Sequence, residues 1–200
     1  NAEFDTSRYR FAYQSLITPP SIFDEDLDSG ERTTLKTQEV LGGYDPAELI
    51  TERIWVRAAD GTEVPVSMVR RRSTQLDGRA PCLLYGYGAN EISIDPWFSA
   101  ARLSLLDRGW VFAIAHVRGG GELGRHWYTD GKFAAKPNSF TDFVTVARHL
   151  CEHQITAPDR LVARGGSAGG LLVGAALNLA PEQFAAVIAE VPFVDPLNTL

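Results

Sequence analysis

"RLVARGGSAGGLLVGAAL" (residues 160–177) sets a serine among glycines, between a short apolar run and a helix of small residues. The core of the stretch is Gly165-Gly166-Ser167-Ala168-Gly169, with a glycine two before and two after the serine. That spacing is what a strand needs to turn sharply into a helix with a serine hydroxyl projecting at the corner. Side chains at the flanking positions would collide with the neighbouring strand and helix. The residue after the serine matters as well: the Ala168 N–H stands at a helix N-terminus, where it can face a developing negative charge. A plainer alternative is a tight turn whose serine only caps the helix.

The rest of the chain extends the same strand-turn-helix rhythm in both directions. Downstream, "AGGLLVGAALNLA" (168–180) reads as a helix and "FAAVIAEVPF" (184–193) as a strand. Upstream, "PCLLYGYG" (81–88), "WVFAIAHVR" (110–118) and "DRLVARG" (159–165) read as strands. Between them, "WFSAARLSLLDRG" (97–109) reads as a helix ended by Gly109, and "SFTDFVTVARHLCEH" (139–153) as an amphipathic helix. Near-continuous apolar strands alternating with amphipathic helices predict an α/β fold, a parallel sheet covered on both faces. "LITERIWVRA" and "EVPVSMVRRR", joined by Ala59-Asp60-Gly61-Thr62, predict a hairpin before that rhythm begins. Earlier still, strands over 8–16, 21–27 and 32–40, with turn signals about ten residues apart, predict a β-meander like one blade of a propeller. The domain expectation is a boundary between residues 1–44 and 45–200.

Composition narrows the classes. The chain has 200 residues, 44% hydrophobic and 22% charged, enough for a sizeable core. A net charge of −6 argues against a nucleic-acid partner and would tolerate a cationic substrate. No stretch reaches the roughly 18 apolar residues of a membrane span, so no membrane partner is expected. Cys82 and Cys151 have no metal-ligand spacing, and Cys82 lies in an apolar run that marks it as a buried structural thiol. Two free cysteines fit a reducing compartment, and the cytoplasm is the expectation. The chain begins Asn1-Ala2-Glu3 rather than with Met and stops at Leu200 after a proline-containing turn, which reads as a piece of a longer polypeptide.

Two further features need weighing. Gly119, Gly121 and Gly124 in "RGGGELG" have the dinucleotide-binding spacing after a strand, but the following "RHWYTDGKFAAKPNSF" lacks the apolar helix such a site needs. A rigid loop over a site is the better expectation. His116, His126, His149 and His153 all precede Ser167, whereas hydrolases built on this elbow run serine, acid, histidine. His149 and His153 are four apart on one helix, yet no glutamate or third ligand completes a metal site. His116, ending an apolar strand, is expected to be a satisfied core histidine. After Ser167 the acids are Glu182, Glu190 and Asp195, and Asp195 comes one strand too early for the usual triad acid.

"LLYGYGANEISID" (83–95), "HVRGGGELGRHWYTDGKF" (116–133), "KPNSFTDF" (136–143), "GGSAGGLL" (165–172) and "APEQFAAVIAEVPFVD" (180–195) together resemble the prolyl oligopeptidase family of serine peptidases. Within it they are most similar to oligopeptidase B, the branch that cleaves after arginine and lysine. "YQSLITPPSIFDEDLDSGE" (13–31) and "ERIWVRAADGTEVPVSMV" (52–69) resemble that family's last propeller blade and its entry into the hydrolase domain. The resemblance implies the first half of an α/β-hydrolase domain preceded by the last strands of a β-propeller. It implies Ser167 as nucleophile, with Tyr87 (through its hydroxyl) and Ala168 (through its backbone N–H) as the oxyanion hole. Phe193 would be a wall of the pocket for the residue before the scissile bond. It implies short peptide substrates, no cofactor and no metal. Asn90 stands where the prolyl-specific branch has an aromatic, which argues against proline specificity. The triad aspartate and histidine, and the acids that would bind an arginine side chain, are implied to lie beyond Leu200. An esterase or acyl-peptide hydrolase, or a non-catalytic protein keeping the fold, are the alternatives.

Overall fold

The structure, a computed structural model, describes residues 3–195 and residue 197; Asn1, Ala2, Pro196 and residues 198–200 lie outside them. β1 (Arg8–Tyr13), β2 (Ser21–Asp26) and β3 (Arg32–Thr37) form a three-stranded antiparallel meander. Phe11 pairs directly with Phe23, and the stack continues to Tyr9 on the same face. Arg10 forks onto Asp24 at 2.7 and 2.9 Å across the same pair of strands. Ser21 is the only fully buried residue in these three strands, so the meander has no core of its own. It leans on neighbouring segments. Leu16, just after β1, is buried with Leu49 and Phe98, and the Tyr44 hydroxyl donates to the Ile17 carbonyl at 2.9 Å.

The second sheet contains β4 (Leu49–Arg57), β5 (Glu63–Arg71), β6 (Cys82–Gly86), β7 (Val111–Ala115), β8 (Leu161–Gly166) and β9 (Ala186–Glu190). Their order across the sheet is β4-β5-β7-β6-β8-β9. The last four in that order are parallel, but β4, β5 and β7 pair antiparallel. The expected all-parallel sheet is thus corrected to a mixed one, because the hairpin predicted at 49–72 joins the sheet through β5 instead of standing apart.

Alternation along the strands divides the core in two. Cys82 and Leu84 of β6, with Val111, Ala113 and Ala115 of β7, face one side. There they meet Phe143, Val146, Ala147 and Leu150 of α3 (Pro137–Glu152) and Leu172, Val173 and Ala176 of α4 (Ala168–Leu179). Leu83 of β6 and Phe112 and Ile114 of β7 face the other side, against Leu103 and Leu106 of α1 (Ala100–Leu106). Each fully buried leucine or phenylalanine contributes about 1.5–3 kcal/mol. A one-residue slip in register would turn every one of these side chains to the wrong face.

Several boundaries differ from the sequence reading. α1 begins at Ala100 rather than Trp97, because Ser99 caps it by accepting from the Arg102 N–H while Trp97 and Phe98 pack as an extended lead-in. Gly109 does end that segment, at φ 80° with its N–H on the Leu106 carbonyl at 2.9 Å. α3 starts two residues early, with Pro137 in its first turn, where a missing N–H costs nothing. β9 is shorter than the 184–193 expected, and a five-residue helix, α2 (Arg125–Thr129), was not anticipated. Among the described residues, no helix is long and apolar enough to cross a membrane.

Candidate active site at the Ser167 elbow

β8 ends at Gly166 and α4 begins at Ala168, leaving Ser167 alone on the corner at φ 55°, ψ −117°. A non-glycine residue there stores roughly 1–3 kcal/mol of strain, which only the surroundings can hold in place. Those surroundings are visible. The Ser167 N–H donates to the Glu190 carbonyl at 2.9 Å, and the Ser167 carbonyl accepts from the N–H groups of Gly170 at 2.9 Å and Phe193 at 3.1 Å. The side chain is exposed and makes no capping hydrogen bond to its helix, which sets aside the capping alternative.

Close packing explains the glycines. A Cβ on Gly165 would overlap the Gly169 carbonyl, and one on Gly169 would lie 2.6 Å from the Gly86 carbonyl oxygen. Gly166 differs: its nearest neighbour would be 3.7 Å away, and its φ is not left-handed. Gly165→Ala is accordingly expected to cost about 1–3 kcal/mol, the usual penalty of overpacking. Gly166→Ala should stay within about 0.5 kcal/mol of wild type. Urea denaturation midpoints of the two variants, measured side by side, check the contrast.

The structure gathers all four residues singled out by sequence. Ala168 opens α4, where its N–H is one of the donors a helix leaves without an intrahelical acceptor. Tyr87 follows the end of β6, and its ring passes within 3.5 Å of where a Gly169 Cβ would stand. Phe193 is tied through its N–H to the Ser167 carbonyl, and the residue is 37% exposed.

The histidines are elsewhere. No hydrogen bond joins any of the four to Ser167 among the described residues. His116 is 2% exposed, a core histidine with Nε2 2.9 Å from Ser67 Oγ, but it is only half satisfied: Nδ1 lies 3.4 Å from Glu122 and makes no hydrogen bond. His149 and His153 stack on α3 with ring centroids 3.7 Å apart, and burial lowers the His149 pKa. No group of metal-binding side chains is found among the described residues. Cys82 is buried and Cys151 partly so, both free, and burial pushes the Cys82 thiol up.

The "RGGGELG" loop is a clamp rather than a phosphate cradle. Its amides are used internally: Gly119 N–H on the Trp127 carbonyl at 2.9 Å and Gly124 N–H on the Gly121 carbonyl at 2.9 Å. Gly121 lets the Glu91 carbonyl approach to where a Cβ would sit, and Glu122 accepts from the Ile94 N–H at 3.0 Å. The loop therefore grips residues 91–94, just beyond Tyr87. Its own base is Arg118, 5% exposed, whose backbone N–H, Nε and Nη2 all reach the fully buried Asp142 at 3.1, 2.9 and 2.6 Å. The Asp142 carboxylate raises the Arg118 pKa further. Lys136 donates to the Gly88 carbonyl, and burial pushes its ammonium down to about 8. Sequence reasoning missed Arg118, Asp142 and Lys136; a charged residue inside an apolar helix pattern, as Asp142 is, was the available signal.

The Prolyl oligopeptidase family matches residues 96–200, more than half of the chain. The chain belongs to that family. Among prolyl oligopeptidase relatives, it is 48% identical to dipeptidyl aminopeptidase BI of Pseudoxanthomonas mexicana, over all of this chain and 28% of that protein. Oligopeptidase B from Trypanosoma brucei, in a closed form with covalently bound antipain, superposes with a TM-score of 0.89 at 47% identity, covering 96% of this chain and 27% of the other. Prolyl oligopeptidase B from Galerina marginata, bound to a 25mer macrocyclization substrate, superposes with a TM-score of 0.91 at 33% identity over 98% of this chain and 28% of that one. The chain thus spans little more than a quarter of the length of these family members.

Proposed function

We propose that this chain carries the nucleophile and the oxyanion hole of a serine oligopeptidase acting on short peptides, with a preference for cleavage after arginine or lysine. The observation that carries the reading is Ser167 itself: strained, exposed and with its hydroxyl unspent, on an elbow that glycine packing fixes. Tyr87 and Ala168 are the oxyanion donors, and Phe193 lines the pocket for the residue before the scissile bond. The basic preference rests on the likeness to Trypanosoma brucei oligopeptidase B and on Asn90 in place of an aromatic. In this reading residues 1–44 are the last strands of a propeller blade and 45–200 the first part of a hydrolase domain. The triad aspartate and histidine come from polypeptide beyond Leu200, which the greater length of the relatives supports. The cytoplasm is the proposed compartment, in keeping with two free cysteines.

The chemistry needs no metal or organic cofactor. With the histidine as base, Ser167 Oγ attacks the peptide carbonyl, the negative oxygen is held by Tyr87 and the Ala168 N–H, and the amine leaves with the proton. Water then hydrolyses the acyl-enzyme by the same steps. Treating the full-length protein with a fluorophosphonate should place one adduct on the Ser167 peptide, and arginyl and lysyl substrates should turn over. An unlabelled serine would overturn the reading, and turnover of esters alone would move it to an esterase. Tyr87→Phe removes one oxyanion donor, so kcat should fall about 10²–10³-fold with KM little changed; steady-state kinetics on an arginyl peptide checks this.

A further inference from the structure

Beyond the four residues placed at the elbow, we infer that Asn90 is a positioning residue for the oxyanion donor, an inference that rests on the reading of Tyr87 just given. Asn90 Nδ2 donates to Tyr87 Oη at 3.1 Å. A phenol has one proton to give and two lone pairs to offer. An amide N–H on a lone pair leaves the proton free to point elsewhere. On the proposed role of Tyr87, that free proton is the one offered to the carbonyl oxygen that becomes negative beside Ala168. A carbonyl or carboxylate at the same place would take the proton instead and empty the oxyanion hole of its side-chain donor.

The backbone is built to hold this amide. Asn90 and Glu91 both stand in the left-handed region, at φ 59° each. Asparagine is one of the few non-glycine residues at ease there. The turn is closed by the Ile92 N–H on the Ala89 carbonyl at 3.1 Å, and it is pinned from outside by the Glu91 N–H on the Gly119 carbonyl at 3.2 Å and by the Arg125–Glu91 ion pair. The clamp formed by the glycine loop thereby acquires a role: it fixes the turn that aims Asn90 at Tyr87. Asn90 is exposed and packs against no core, so its placement stabilises little else.

The test uses the full-length enzyme with two substitutions that tolerate a left-handed backbone, Asn90→Gly and Asn90→Asp. Asn90→Gly should lower kcat about three- to tenfold, the worth of one neutral hydrogen bond, with KM unchanged. Asn90→Asp, which turns the donor into an acceptor, should lower kcat further than glycine does. In a Tyr87→Phe background Asn90→Gly should have almost no further effect, since there is no hydroxyl left to orient. An unchanged kcat in Asn90→Gly, an aspartate as active as wild type, or losses that multiply with Tyr87→Phe would each overturn the inference while wild-type labelling and turnover left the peptidase reading standing. A wild-type enzyme that neither labels nor turns over removes both.

Discussion

On the role proposed for Ser167, its replacement by alanine is expected to lower kcat of the full-length protein by up to about a million-fold, the cost of removing a nucleophile from a triad that acts as a unit. The loss should be chemical, not structural. The Ser167 side chain is exposed and caps nothing, and the forces holding its strained backbone are amide and carbonyl bonds that alanine keeps. Alanine at φ 55° carries the same kind of strain as serine. Stability should stay within about 0.5 kcal/mol of wild type. Single-turnover hydrolysis of an arginyl peptide, alongside a urea titration, separates the two effects. A variant that unfolds early would mean that the hydroxyl has a structural partner, and one that keeps its rate would remove Ser167 from the chemistry.

The second large effect lies away from the elbow. Asp142→Ala should destabilise the fold by about 3–5 kcal/mol, because it strands a guanidinium inside the protein. Asp142 on α3 is fully buried and takes three hydrogen bonds from Arg118, one of them from the backbone. Without it the cation keeps only Asp60, 2.6 Å from Nη1 and half exposed at 48%. Asp60 is the internal control. Its carboxyl is held down at about 2, first by the Thr62 N–H and then by Arg118. Asp60→Ala, on the solvent side of the same guanidinium, should cost no more than about 1 kcal/mol. Urea unfolding of both variants decides the matter: equal costs would mean that burial is not what makes the inner pair strong. Arg118 also starts the glycine loop, so Asp142→Ala should loosen the turn that carries Asn90 before the sheet gives way.

What the sequence revealed and what it hid divide along a physical line. Local signals were legible: near-continuous apolar runs marked the later strands of the main sheet, the turn at 59–62 marked its hairpin, the glycine spacing marked the elbow, and Gly109 marked the end of the α1 segment. Pairing between distant segments was not. Nothing in "EVPVSMVRRR" says that it lies beside "WVFAIAHVR", and this placement of β5 against β7 is what made the sheet mixed. The same holds at the site. Tyr87 was visible only through resemblance, because a tyrosine at a strand end looks like packing until Gly169 is seen beneath its ring. The Arg118–Asp142 pair spans 24 residues, and the close approach of Gly121 to Glu91 spans thirty. Contacts of that range leave only indirect traces, such as glycines with no turn to explain them.

The bond from the Ser167 amide to the Glu190 carbonyl gives the molecule a gauge of its own readiness. The bond continues the β8–β9 pairing, which runs up to Gly166 and Glu190, so it opens whenever that end of the pairing opens. Each opening releases the Ser167 N–H to exchange with deuterium. Where reclosing is faster than exchange, the exchange rate of that single amide therefore reports the fraction of time the corner is relaxed.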